Sequence, residues 1–142
     1  MSDQESTGRP ESLATVEFIV PGHPPTVNHI WKTFGTRRFK STAYLEWEAK
    51  TTKVVLVHPY KSKFRDLDGR MYRLLITMVR NSWLNKKKTA PLLPDTPNCI
   101  KAAEDAICAV TGWDDRFNIE TTIKKVEESG AEDYTTVIFE FV

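Results

Sequence analysis

Two groups of acidic residues flank a short amphipathic segment that carries a lysine. Asp95 precedes this segment, Lys101 and Asp105 lie within it, and Asp114-Asp115 follows it. Clustered carboxylates are the ligands that a hard cation such as Mg²⁺ prefers, and such a cation commonly assists phosphodiester cleavage. If the two acidic ends meet, Asp95 and Asp115 would share a Mg²⁺ ion. Lys101 would then stabilise charge on the phosphate or help to deprotonate a water.

Each of these residues also has a purely structural explanation. Asp95 suits the start of a helix because of the helix dipole, and Asp114-Asp115 is compatible with an ordinary turn. Lys101 and Asp105 have the i, i+4 spacing of a solvent-exposed ion pair. An Asp-x-Asp, Asp66-Leu67-Asp68, lies in the segment 65–69, but it precedes a predicted strand and no lysine-bearing helix follows it. We interpret that segment as a loop or turn.

The segment between the acidic groups is predicted to be a helix. Thr96 is a suitable N-cap, Pro97 fits the first helical position, and Gly112 would end the helix. The predicted buried stripe consists of Ile100, Ala103, Ile107 and Val110. The predicted other face carries Lys101, Glu104, Asp105 and Cys108.

The rest of the chain supplies the elements that would position this helix. Hydrophobic spacing predicts strands over 16–20, 72–79, 119–126 and 134–142, a loop or short hairpin over 35–40, and a helix from Ser41 or Thr42 to about Val57. The fold class is therefore α/β of the α+β type, with a mixed sheet of about four strands and two main helices. Residues 1–13 are predicted to be a disordered tail, and residues 14–142 one domain.

The composition is that of a globular protein, and the net charge near zero does not by itself indicate a binding partner. The chain has 142 residues, is 40% hydrophobic and carries a formal net charge of +1. Its cations form two clusters, which are Arg37, Arg38 and Lys40, and Lys86, Lys87 and Lys88. Such clusters are usually solvated surface, although beside an acidic metal site they are suited to holding phosphates.

The two cysteines and the hydropathy pattern indicate the cellular compartment in which the protein is expected. Cys99 and Cys108 lie nine positions apart on one predicted helix, which is too far for a disulfide. No stretch is long and apolar enough to span a membrane, and the N-terminus lacks a secretory signal pattern. We therefore expect a cytoplasmic protein without a membrane partner.

The order of these motifs resembles that of the RusA-type Holliday junction resolvases. In that family an Asp-x-Asp-Asn-x-x-Lys motif opens a helix, a further Asp follows, and an Asp-Asp pair leads into a strand. This chain has Asp95-Thr96-Pro97-Asn98-Cys99-Ile100-Lys101, then Asp105, then Asp114-Asp115. The stretch 20–28, with Pro24-Pro25 and Asn28, is similar to the family's opening strand and turn.

The resemblance implies a homodimer that cuts four-way or branched DNA by paired nicks and depends on Mg²⁺, with Mn²⁺ as an alternative ion. It assigns Asp95, Asp114 and Asp115 to the metal and Lys101, with Asp95 and Asp115, to catalysis. DNA binding would fall to the two basic clusters.

Pro97 stands where the family pattern has its second Asp. Proline suits a first helical turn, so the fold should be kept, but its side chain cannot bind a metal. Asp114, Glu104 or a water would have to take the missing place. Two other hypotheses stay open: a catalytically weakened or inactive branched-DNA-binding relative, and an interaction module without a DNA role.

Overall fold

The computed structural model describes residues 15–26, 30–84, 87 and 96–142. These residues form six strands and three α-helices. In chain order they are β1 (Thr15–Pro21), β2 (Trp31–Phe34), β3 (Arg37–Lys40), α1 (Thr42–Leu56), α2 (Phe64–Leu67), β4 (Tyr72–Arg80), α3 (Ile100–Thr111), β5 (Asn118–Glu127) and β6 (Tyr134–Phe141). Three 3₁₀ turns lie at Lys61–Lys63, Thr96–Cys99 and Asp115–Phe117.

Four strands form a mixed sheet in the order β1-β6-β4-β5. β4 and β5 are parallel, whereas β6 runs antiparallel to both of its neighbours. Parallel neighbours need a crossover connection, and α3 provides it between β4 and β5. This confirms the predicted α+β fold with a mixed four-stranded sheet. The separate β2–β3 hairpin confirms the predicted hairpin and adds a second, two-stranded sheet.

The core lies between α1, α3 and one face of the sheet. In β1 the alternating residues Val16, Phe18 and Val20 are buried while their neighbours are exposed. The predicted helix from Ser41 is confirmed, because the Ser41 Oγ accepts a hydrogen bond from the Tyr44 backbone N–H at 3.2 Å. Side chains of this core pack edge to face around Phe18 and Phe139.

Two tryptophan side chains hold α3 in place by donating hydrogen bonds to backbone carbonyls. The Trp47 Nε1 of α1 donates to the Ala102 carbonyl at 3.0 Å, and the Trp113 Nε1 donates to the Phe64 carbonyl at 2.8 Å. α3 ends at Gly112, directly before Trp113. Gly112 has φ 86°, which is the left-handed conformation that glycine tolerates best. These contacts fix both ends of the helix that carries Lys101.

Two sequence predictions near the site need correction. The α-helical part of the predicted helix begins at Ile100, because Thr96–Cys99 forms a 3₁₀ turn. A tightened first turn is common at helix N-termini, and the fixed φ of Pro97 is compatible with it. The segment 65–69 also contains the end of a short helix, since one turn allows Phe64 and Leu67 to reach the core together.

The remaining predictions concern the tail and the membrane. Residues 1–13 lie outside the described part of the chain, so the predicted tail stays a prediction. No helix among the described residues has the length and apolar character needed to cross a bilayer.

Candidate active site

Lys101 lies in the first turn of α3 and forms an ion pair with Asp105. The Lys101 Nζ is 2.9 Å from the Asp105 Oδ2, which is the predicted i, i+4 geometry. The hydrogen bond to Asp105 and its negative charge raise the pKa of Lys101, and the charges of Asp115 and Glu104 act in the same direction. Lys101 therefore stays protonated at neutral pH.

The neighbouring acids Asp114 and Asp115 have different surroundings. Asp114 caps the turn before β5, since its Oδ1 accepts from the Arg116 N–H at 3.0 Å and its Oδ2 lies 3.1 Å from the Arg116 Nε. Asp115 is exposed, and within the described residues its carboxylate has no hydrogen bond or ion pair. Asp115 is also the member of the pair whose charge acts on Lys101 and Glu104.

The structure therefore brings together residues from both ends of α3. Lys101 and Asp105 lie on the helix, and Asp115 lies in the turn that follows it. The Asn118 Nδ2 donates a hydrogen bond to the Glu104 Oε2 at 2.9 Å, so the start of β5, which follows Asp115, folds back against α3 one turn from Lys101. Whether Asp115 also meets Asp95 stays a prediction, because Asp95 lies outside the described residues.

Glu104 is a buried acid that the sequence analysis placed on the wrong face of α3. Only 7% of the residue is exposed, and its Oε2 accepts hydrogen bonds from the Tyr72 Oη at 2.5 Å and from the Asn118 Nδ2 at 2.9 Å. Burial raises the pKa of Glu104, and the charges of Asp115 and Asp105 raise it further, against the opposing effect of the two hydrogen bonds.

A helical spacing could have revealed the burial of Glu104. It stands four positions after Ile100 and three before Ile107, and those two residues belong to the predicted buried stripe. Glu104 joins α3 to the start of β4 through Tyr72 and to the start of β5 through Asn118. It therefore ties together the elements that carry Lys101 and Asp115.

The raised pKa of Glu104 predicts a pH-dependent stability that Glu104→Gln removes. The folded protein retains the Glu104 proton at pH values where the unfolded chain has released it, so the free energy of unfolding falls as pH rises through this window. The window runs from the ordinary glutamate pKa of 4.5 up to the raised value. Each pKa unit between these two values corresponds to about 1.4 kcal/mol in the free energy of unfolding.

Urea unfolding at a series of pH values measures this effect. Across the window, the stability of Glu104→Gln should improve steadily relative to the wild type as pH rises. Glu46→Gln on the exposed side of α1 is the matched control and should follow the wild-type profile. If the two proteins differ in their free energy of unfolding by an amount that does not change with pH, the raised pKa of Glu104 is contradicted.

The other predicted residues lie either outside the described part of the chain or at exposed positions within it. Asp95, Lys86 and Lys88 lie outside the described residues, and Lys87 is exposed. Arg37, Arg38 and Lys40 all lie on β3 of the hairpin. Pro97 is exposed in the 3₁₀ turn ahead of α3. None of these positions by itself tests a role in catalysis or DNA binding.

Tyr44 connects the hairpin to the acidic cluster. The Lys40 Nζ lies 5.7 Å from the centroid of the Tyr44 ring and 2.9 Å from the Glu48 Oε2. Burial raises the pKa of Tyr44 to about 12, and the charges of Glu48 and Asp105 contribute to the rise. Tyr44 lies one turn before Trp47 on α1, and Trp47 donates to the Ala102 carbonyl of α3, so the base of the hairpin lies near the first turn of α3.

Cys108 lies at the edge of this cluster, with its Sγ 4.0 Å from the Tyr72 Oη. Cys99 is buried and Cys108 is partly buried, and neither of them is in a disulfide. Burial raises the pKa of Cys108 to about 12, so its thiol stays protonated and poorly nucleophilic at neutral pH.

Comparison with known proteins assigns the chain to a family. In the described residues, no group of three or more His, Cys, Asp and Glu side chains is arranged to hold a metal without further ligands. No curated protein matches the chain. A family model described as Endodeoxyribonuclease RusA matches residues 21–133, which is well over half of the chain and contains the hairpin, α1, α3 and both acidic groups. The chain belongs to the RusA endodeoxyribonuclease family.

Proposed function

We propose that this protein is a Mg²⁺-dependent, structure-selective endodeoxyribonuclease that resolves Holliday junctions by paired nicking. Mn²⁺ is the alternative ion, and DNA recombination and repair are the expected context. The proposal rests on one observation in a chain of this family. Lys101 is paired with Asp105, and its protonated form is favoured by Asp115, whose exposed carboxylate has no hydrogen bond or ion pair within the described residues.

The residues present fit a hard divalent cation. The carboxylate of Asp115 is exposed and has no partner in the described part of the chain, so its oxygens are available to a cation. We assign Asp115, with Asp95 from the segment ahead of α3, as the protein ligands. When bound, Mg²⁺ would polarise the scissile phosphate and lower the pKa of an attacking water.

We propose that Lys101 acts as a cation and not as a general base. A lysine accepts a proton only in its neutral form, and the raised pKa of Lys101 disfavours that form at neutral pH. Its ammonium group can stabilise the negative charge that builds up on the phosphate oxygens during cleavage. Asp105 holds that ammonium group at 2.9 Å and so limits its freedom.

Neither nearby acid is an obvious replacement for the ligand missing at Pro97. The Asp114 carboxylate is engaged with Arg116, and the Glu104 Oε2 accepts two hydrogen bonds inside the protein. We therefore propose that water and phosphate oxygens complete the coordination, as is usual for Mg²⁺.

The second candidate function is a branched-DNA-binding relative with weakened or absent cleavage. Pro97 is the observation that favours it, because its exposed ring offers no oxygen ligand in the turn where the family pattern has an acid. Both candidates share the expected partner, a four-way or branched DNA, and the expected homodimer.

A cleavage assay on a synthetic four-way junction separates the two candidates. With Mg²⁺ present, the enzyme should produce paired, symmetry-related nicks near the branch point, and none on a linear duplex of the same sequence. Chelation of the metal should abolish nicking while binding persists. A stable band shift without nicks at any Mg²⁺ or Mn²⁺ concentration would favour the inactive relative instead.

A further inference from the structure

The β2–β3 hairpin has two chemically different faces. Its register pairs Trp31 with Lys40, Lys32 with Phe39, Thr33 with Arg38 and Phe34 with Arg37. Directly paired residues of an antiparallel ladder lie on the same face. One face therefore carries Trp31, Thr33, Arg38 and Lys40. The opposite one, here called the aromatic–basic face, carries Lys32, Phe34, Arg37 and Phe39.

The first face makes contacts within the protein. The Arg38 guanidinium lies over the Trp31 ring, 4.6 Å from its centroid. Lys40 forms an ion pair with Glu48 of α1 and also approaches the Tyr44 ring. The Arg38–Trp31 contact lies within the hairpin, whereas the two Lys40 contacts join this face, and not the aromatic–basic face, to α1.

The aromatic–basic face has no such partners. Phe34 is 78% exposed and Phe39 is 47% exposed. None of its four residues has an ion pair or ring contact within the described residues. On this face each aromatic ring stands directly opposite a cation, because Phe34 pairs with Arg37 and Phe39 pairs with Lys32. A surface on which large exposed aromatic rings alternate with cations is more typical of a binding site than of an ordinary solvent-exposed surface.

Charge identifies the class of partner. Residues 31–40 contain four cations and no acid. Two copies of the aromatic–basic face would repel each other across a twofold contact, because each presents Lys32 and Arg37. A polyanion that offers flat apolar surfaces matches both features. Nucleic acid with unstacked bases is such a ligand, since aromatic rings stack on bases while cations contact phosphates.

The hairpin also stands beside the proposed active site. Lys40 at its base approaches the Tyr44 ring of α1, and one turn further along α1 Trp47 donates a hydrogen bond to the carbonyl of Ala102, the residue after Lys101. DNA held by the hairpin would therefore pass next to Lys101. In a continuous duplex the bases are stacked on each other, whereas at a branch point the end of the stack is accessible.

We propose that the aromatic–basic face binds the exposed base stack at a DNA branch point, with Phe34 stacking on a base and Arg37 and Lys32 contacting phosphates. This inference rests on the proposed junction substrate. It assigns the preference for branched over linear DNA to an aromatic side chain, in addition to the basic cluster.

The test compares the affinity of hairpin variants for a four-way junction and for a linear duplex of the same sequence, without divalent metal. Phe34→Ala should weaken junction binding about tenfold and change duplex binding little, since stacking on an aromatic ring contributes on this order. Phe34→Trp should retain the preference, whereas Phe34→Leu should lose it. Arg37→Gln should lower the salt slope of junction binding by about one.

Val57→Ala is the matched control. Val57 is 75% exposed and follows the C-terminal end of α1, the end opposite the hairpin, so its truncation should leave both affinities unchanged. Each protein is also examined by sedimentation. A Phe34→Ala variant with wild-type junction preference would overturn the inference, as would an equal loss on both DNAs. A change of oligomeric state confined to Phe34→Ala would also overturn it, because the face would then be a subunit contact. A wild-type protein without any junction preference would instead refute the proposed function.

Discussion

Asp115→Asn is expected to lower junction cleavage by about 10³-fold or more while junction binding stays intact or becomes tighter. The proposed role of Asp115 is to hold Mg²⁺, and an amide is a much weaker ligand than a carboxylate. Loss of metal assistance removes several kcal/mol of transition-state stabilisation, and about 4 kcal/mol corresponds to a 10³-fold loss of rate. Binding should not suffer, because the substitution removes a negative charge that would repel phosphate.

Single-turnover cleavage and band-shift titration on one junction measure the two effects separately. Asp68→Asn is a suitable control, since Asp68 is an exposed acid in the Asp-x-Asp of residues 66–68. It should leave both cleavage and binding unchanged. Persistent wild-type nicking by Asp115→Asn would show that Asp115 is not a ligand, and equal losses of cutting and binding would indicate a structural role.

Lys101→Gln is expected to reduce the cleavage rate by about 10²- to 10³-fold, whereas Lys101→Arg should retain a measurable part of it. Removal of one group that stabilises transition-state charge usually has an effect of this size. Arginine remains charged at every relevant pH and cannot serve as a general base, yet it can still pair with Asp105. The two variants therefore separate a cationic role from a proton-accepting role.

The comparison needs rates at saturating protein and a stability measurement for each variant. Lys124→Gln, at an exposed position of β5, is the matched control and should cleave like the wild type. If Lys101→Arg is as inactive as Lys101→Gln, the proposed cationic role of Lys101 fails. If Lys101→Gln cleaves normally, Lys101 is only the solvent-exposed partner of Asp105.

Much of the fold could be predicted because its signals are local. The cap at Ser41, the stop at Gly112 and the alternation in β1 each depend on residues within a few positions of each other. The corrections were also local. Pro97 led to the expectation of an α-helical first turn, whereas the turn is 3₁₀, and the periodicity around Phe64 was too short to indicate α2.

The features of the candidate site that depend on local sequence could also be predicted. By itself, the sequence determined the order of Asp95, Lys101, Asp105 and Asp115, the i, i+4 pairing of the lysine, and the departure at Pro97. These follow from residue type and from helical spacing. Together with the stretch 20–28, they were sufficient to suggest the family, which the match over residues 21–133 then confirmed.

Only the tertiary structure decided which distant groups meet the acids around α3. Asp115 acts on Lys101, and Glu104, predicted on the face that carries Lys101, meets Tyr72 and Asn118. The physical reason is that burial and charge interactions depend on distances through space. Here those distances are set when β4, α3 and β5 come together, and no local pattern in the chain encodes them.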